Sequence, residues 1–178
     1  MSYIADMSIL PILLHPDPRL KKTCDVVGTV DAEVRKLADA MLETMYDAPG
    51  VGLAAPQVGS MARVFVMDCT DGDTDDQPLV LINPEITWTS DDLNVHSEGC
   101  LSLPELFEDV ERPAAVRMSF LDIDGKPHEQ QFDGLWATCA QHELDHLNGI
   151  LFIDHLTRMK RSMMTKKMVK YKKELALG

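Results

Sequence analysis

His142-Glu143-Leu144-Asp145-His146 sets two imidazoles four residues apart with a carboxylate between them. On a helix, residues i and i+4 share a face, so both rings can reach one divalent ion while Glu143 stands beside it as a proton carrier. The chemistry of such a set is metal-assisted hydrolysis. Two histidines leave it incomplete, because a catalytic tetrahedral metal takes a third protein ligand and keeps one position open for water. The candidates are Cys139, Cys100, Cys24, Cys69, Asp145, His155 and downstream glutamates such as Glu174. His155 follows the helix too closely and Glu174 sits in a basic tail, so neither is an easy choice. Cys139 lies three residues before His142 and therefore on the same helical stripe. Cys100 lies in Glu98-Gly99-Cys100-Leu101-Ser102, where glycine permits close backbone approach and a thiolate suits a soft or borderline metal. Residue chemistry alone divides the choice between these two; Cys24 and Cys69 read as small buried thiols.

A second segment, from Gly50 to Gly59, is rich in small residues with one amide, Gln57, in its middle. An extended peptide can lie against such a backbone, and Gln57 offers an NH₂ donor to a developing oxyanion. Taken alone, the signal is weak and the segment reads more readily as a tight turn with Gln57 exposed.

These residues need a body to bring them together. The chain has 178 residues, 45% apolar and 26% charged, a composition that fits one globular domain over 1–178 rather than a disordered chain or a coiled-coil array. Asp31 is placed to cap a helix whose apolar Val34, Leu37, Ala38, Met41, Leu42 and Met45 follow the 3.6 period, with Pro49-Gly50 as its stop. Residues 63–68, 79–86, 115–121 and 129–132 read as short antiparallel strands separated by turn residues, and 71–76 as a solvated acidic loop. A helix over 135–147, closed by Asn148-Gly149, carries the two histidines. The pattern is that of an α+β fold.

Charge divides the chain. Net charge is -12, which argues against docking of the whole surface on DNA, other nucleic acid or anionic lipid. Residues 158–178 nevertheless carry eight Lys or Arg and one Glu, and Met164, Met168, Tyr171 and Leu175 recur there at helical spacing. That basic helix is either packed with a solvated lysine face or placed to touch an acidic partner such as RNA. The first twenty residues lack a basic start, Pro11 interrupts their apolar stretch, and no apolar run reaches membrane length, so a cytosolic protein without a span or signal peptide is expected.

Three segments together resemble the signature of the peptide deformylases: GVGLAAPQ (50–57), EGCLS (98–102) and QHELDH (141–146), with LVLINPE before the second and DGLWATC before the third. The resemblance covers nearly the whole chain. It implies that Cys100 is the third ligand beside His142 and His146, and that strongly twisted antiparallel sheets pack around the HExxH helix between N-terminal and C-terminal helices. It implies as substrate the formyl-methionyl end of nascent polypeptides in a bacterial cytoplasm, with formate as product. Glu143 then moves the proton, while the Leu101 N–H and the Gln57 amide face the formyl oxygen. Val51, Leu135, Thr138 and Cys139 become the methionine pocket, and the backbone of Val51, Gly52 and Gly99 pairs with the peptide. The resemblance points to one Fe(II), with Zn(II), Ni(II) or Co(II) as other occupants, and to ribosome contact through the tail helix. The family frequently places Arg or Tyr where this chain has Leu106-Phe107, at the rim that meets residues beyond methionine. Glu98 is placed to pair with Arg112 and brace the ligand loop. Two other readings are an HExxH zinc endopeptidase and an inactive deformylase-like binding module.

Overall fold

Asp31 Oδ1 accepts the Val34 N–H at 3.0 Å and so starts α1 (Ala32–Asp47), which ends two residues before Pro49. The computed structural model describes residues 9–178; residues 1–8, part of the leader expectation, lie outside it. Seven strands follow α1 in chain order: β1 (Gly52–Ala54), β2 (Val64–Met67), β3 (Leu79–Thr89), β4 (Leu93–Cys100), β5 (Leu103–Pro113), β6 (Ala115–Leu121) and β7 (Pro127–Asp133). Then come α2 (Gly134–Leu147) and α3 (Arg158–Leu177). Five strands form one sheet in the order β1-β2-β3-β6-β7, and β4-β5 form a separate hairpin. All their pairings are antiparallel. The expected α+β class is therefore the observed one.

β2 explains how the sheet is covered. Its four residues are all buried, because Val64 and Val66 join Met41, Met45, Leu53 and Ile82 on the α1 side. Phe65 and Met67 join Leu81, Val116, Met118, Ala137, Ala140 and Leu144 on the α2 side. A strand with both faces buried reads as a continuous apolar run, which is how it was legible. β7 begins at Pro127, an edge position where the missing N–H interrupts no ladder.

The hairpin β4-β5 lies outside every strand expected from the sequence. On β4 the usual alternation is inverted: Leu93 and Val95 point to solvent while Glu98 is buried. On β5 Arg112 occupies an inward position. Polarity pattern misreads a strand whose buried positions are ionic. A third apolar cluster, with Leu20, Leu103, Val110, Phe152, Met164 and Met168, ties this hairpin to the N-terminal segment and α3. Of the expected apolar face of α3, Met164 and Met168 are buried and Tyr171 half-buried. Leu175 is 54% exposed, so the expected apolar stripe is not buried to its end. Among the described residues no helix is long and apolar enough to cross a membrane.

Candidate metal centre

α2 and the end of β4 bring the site together. Ala137, Ala140, Leu144 and Leu147 of α2 pack into the sheet-facing cluster. His142 and His146, one turn apart, meet with ring centroids at 5.1 Å, and His142 also stacks on Phe152 at 6.2 Å. Register pairs Glu98 with Glu108 and Gly99 with Phe107, and a bulge before Cys100 turns the chain through Leu101-Ser102. That turn delivers the thiol to α2. Cys100 Sγ lies 3.3 Å from His146 Nε2, and one ligand atom each from Cys100, His142 and His146 lie within 4.8 Å of one another.

The donor set fits a divalent ion. Bonds of about 2.3 Å to sulfur and 2.0 Å to nitrogen at tetrahedral angles put neighbouring ligand atoms about 3.6 Å apart, close to the observed sulfur–nitrogen separation. Each imidazole also has a free nitrogen for it. His142 Nδ1 is 2.9 Å from Glu98 Oε1, which leaves Nε2 for the ion. Burial pushes the His146 imidazole well below its usual range, so the ring is neutral, the form a metal ion requires.

Behind these ligands stands a buried ionic chain. Arg112 Nε and Nη2 donate to Glu98 Oε2 and Oε1 at 2.7 and 3.0 Å, and Arg112 Nη1 donates to Asp145 Oδ2 at 2.8 Å. Burial raises the Glu98 carboxyl, but hydrogen bonds from His142 and Arg112 outweigh it and hold it at about 2. The expected Glu98–Arg112 pair is thus present in the geometry, and it extends to His142 and Asp145. Arg112→Leu is expected to strand a buried carboxylate, lowering stability by about 3–5 kcal/mol. It should also weaken metal retention about 10- to 100-fold. Thermal unfolding and metal content after dialysis check this; wild-type values for both would remove the bracing role.

Glu143 is buried next to these candidate ligands, and its Oε2 has no partner among the described residues. Burial, reinforced by the charge of Glu98 and opposed by His142, pushes its carboxyl up to about 7. Close approach of β1 requires Gly52: a Cβ there would stand 2.6 Å from Glu143 Oε1 and 2.7 Å from Cys139 Sγ. Gln57, which its own segment would place in an exposed turn, is instead 1% exposed. Its Oε1 accepts the Ala54 N–H at 2.9 Å, and its Nε2 donates to Ser102 Oγ at 3.1 Å and toward Cys100 Sγ at 3.5 Å. The amide is locked by its oxygen and aims its nitrogen at the ligand loop.

A cavity of about 460 Å³ opens over these groups, lined by Val51, Gly52, Gln57, Gly99, Cys100, Leu101, Leu135, Thr138, Cys139, His142 and Glu143. His146 alone of the expected site residues is not among its walls, lying wholly buried beneath them. Val51 and Leu135 are each 45% exposed and form the mouth. Phe107 is 64% exposed, its ring against Gly99, where a Cβ would meet it at 2.4 Å.

The other candidate ligands go elsewhere. Asp145 and His155 pair with each other at 2.8 Å, within the Arg112 chain. Glu174 is exposed beside Lys170. Cys24 and Cys69 are buried free thiols, and burial raises Cys24 to about 11. Cys139 sits in the cavity wall with its thiol toward the Val51 carbonyl at 3.6 Å. Sequence reading did not single out Ser102, the Glu98–His142 bond or the segment Leu13–His15. The first two needed the hairpin register. The last needed the tertiary neighbours of an irregular stretch.

Comparison with known proteins adds three findings. The family model described as polypeptide deformylase matches residues 9–162. A peptide deformylase from Mesorhizobium japonicum is 52% identical over 172 residues, covering 97% of this chain and 98% of that one. Among solved structures, the peptide deformylase from Ehrlichia chaffeensis superposes with a TM-score of 0.90 at 38% identity, covering 96% of this chain and 100% of that one. The class I type b peptide deformylase from Acinetobacter baumannii, solved with Met-Ala-Ser bound, superposes with a TM-score of 0.79 at 35% identity, covering 84% and 99%.

Proposed function

This chain belongs to the polypeptide deformylase family, metal-dependent hydrolases that remove the formyl group from nascent peptides, and from that premise we propose which of its residues do the work. Cys100, His142 and His146 hold the metal; Glu143, Gln57 and the Leu101 N–H carry the hydrolysis. The observation that supports this most directly is one thiol and two imidazoles from distant segments meeting within 4.8 Å beside a buried carboxylate. A divalent ion there supplies Lewis acidity, lowering the pKa of water from about 15.7 toward about 7. A thiolate among its ligands favours Fe(II), Zn(II), Co(II) or Ni(II), and Fe(II) is our choice for the cell.

Glu143 takes a proton from the attacking water and returns it to the departing nitrogen, which leaves poorly as an anion. A carboxyl near neutrality can do both. Gln57 Nε2 and the Leu101 N–H point their donors at the formyl oxygen, where charge develops. The methionine side chain enters between Val51, Leu135, Thr138 and Cys139, and the peptide runs along the backbone of Val51, Gly52 and Gly99 as an added strand. The Met-Ala-Ser bound to the Acinetobacter relative has the chemistry of the product. Formyl carbon bears only hydrogen, so a narrow cavity floor excludes larger acyl groups.

Formate release from formyl-Met-Ala-Ser by anaerobically prepared protein tests the reading. Internal cleavage of an unformylated peptide instead would make the chain an endopeptidase, and neither activity with bound metal would make it a binding module. We read 1–178 as one catalytic domain of the bacterial cytoplasm, where formyl-methionyl chains are made.

For α3 we propose contact with the ribosome. Its basic residues are partly spent on the body: Lys160 pairs with Glu108 at 3.1 Å and Arg161 with Asp154 at 3.9 Å. Lys166, Lys167 and Lys173 remain exposed around the Lys170–Glu174 pair and have no ion-pair partner among the described residues. Charge reversal of these three is expected to abolish salt-sensitive co-sedimentation with ribosomes while leaving deformylation of a tripeptide intact; unchanged co-sedimentation discards the contact.

A further inference from the structure

A short segment, Leu13–His15, ties the two residues that flank the ligand loop. The Leu13 N–H donates to the Gln57 carbonyl at 2.7 Å, and the His15 N–H donates to the Ser102 carbonyl at 2.9 Å. Inside the site the Gln57 amide meets Ser102 Oγ, so the segment closes a ring around the amide and the Leu101-Ser102 turn. α3 in turn holds the segment. His15 Nε2 lies 2.8 Å from Thr165 Oγ1, and Lys172 Nζ donates to the Leu14 carbonyl at 3.3 Å. Leu13 and Leu14 pack against the cluster that contains Leu103, Met164 and Met168.

His15 is the unusual member. The residue is 8% exposed, and its Nδ1 is buried without a partner among the described residues. A leucine would fill similar volume without leaving a nitrogen unsatisfied, so burial alone does not account for an imidazole here. What the ring adds is its bond to Thr165, which fixes the segment sideways as the backbone bonds fix it lengthwise.

We propose that His15 is a positioning residue for deformylation: its backbone N–H holds the Leu101-Ser102 turn, the Leu13 N–H two residues earlier holds Gln57, and through its ring His15 takes that register from Thr165 on α3. The proposal rests on the assignment of Gln57 as an oxyanion donor. Its consequence is a mechanical connection between the C-terminal helix and the reacting oxygen, since displacement of α3 reaches Gln57 through three residues. Small misplacements of a donor cost rate rather than ground-state affinity.

The experiment compares metal-loaded wild type with His15→Leu, His15→Gln and Thr165→Val, the last removing one hydroxyl from an otherwise isosteric side chain. Expected for His15→Leu and Thr165→Val is a fall in kcat of about tenfold with KM and metal content unchanged. His15→Gln, whose amide can still meet Thr165, recovers most of the rate. In a Gln57→Ala background the same substitutions cost clearly less, because one of the two donors the segment positions is gone and only the Leu101 N–H remains to be misplaced. A second readout is independent of turnover. In the Co(II) form the thiolate-to-metal charge-transfer band of Cys100 senses the hydrogen bond from Gln57, and it moves to lower energy in His15→Leu and Thr165→Val. Wild-type kcat and band position in both folded variants overturn the proposal, as does a kcat loss that persists undiminished in the Gln57→Ala background. If Gln57→Ala itself leaves kcat unchanged, the donor assignment fails, and the cobalt band alone decides whether the segment holds Gln57. Should His15→Leu unfold, Thr165→Val carries the test.

Discussion

Glu143→Ala protein is expected to retain its metal and to release formate about 10²- to 10⁴-fold more slowly than wild type. Two buried carboxylates stand beside the ligands, and their surroundings separate their roles. Glu98 accepts from Arg112 and His142 and is held at about 2, so it stays charged and cannot carry a proton at neutral pH. Glu143 lacks such partners, keeps an unpaired Oε2 toward the site and is pushed by burial to about 7. A proton carrier works best with its pKa near the working pH, which singles out Glu143. Glu143→Gln is expected to be impaired to the same degree, because shape and burial are kept and only proton transfer is lost. Formate release measured beside metal content checks both. Activity within tenfold of wild type in metal-replete Glu143→Ala would transfer the role elsewhere.

Cys100→Ala should lose both metal and activity. With the thiol gone, His142 and His146 remain as two neutral donors on adjacent turns, which is too few for a closed three-ligand grip. Loss of a direct ligand is expected to cost metal affinity more than the about 10- to 100-fold typical of an outer-shell partner. A ligand that binds only the folded chain also stabilises it. Chelation should therefore lower the Tm of wild type and leave Cys100→Ala unchanged. Cys139→Ala is the control, since its thiol faces the Val51 carbonyl in the cavity wall; it is expected to keep the metal and alter only substrate fit. Wild-type metal content in Cys100→Ala would move the third ligand to another residue.

Local signals were sufficient where one segment contained its own reason. The Asp31 cap, the apolar run of β2, the α2 helix with its Asn148-Gly149 end, and the pairing of His142 with His146 on one face all follow from neighbours within a few residues. The hairpin β4-β5 was illegible because its inward positions are ionic, and Glu98 and Arg112 are inward only because they satisfy each other and His142. Gln57 gave no local sign of burial either, since the bonds that hold it involve Ala54, Ser102 and Leu13.

From the order of residues alone came the candidate ligand types, the candidate proton carrier and the helix that spaces two imidazoles by one turn, because helical periodicity is a property of adjacent peptide units. Which thiol completes the set was a tie in residue chemistry, with Cys139 on the helix itself and Cys100 in a distant loop. Tertiary structure decided it. The Cys139 side chain leaves α2 toward β1 and the Val51 carbonyl, whereas the bulge before Cys100 swings its sulfur to 3.3 Å from His146. Distance across a fold depends on packing that no local pattern encodes, and a metal site is made of such distances.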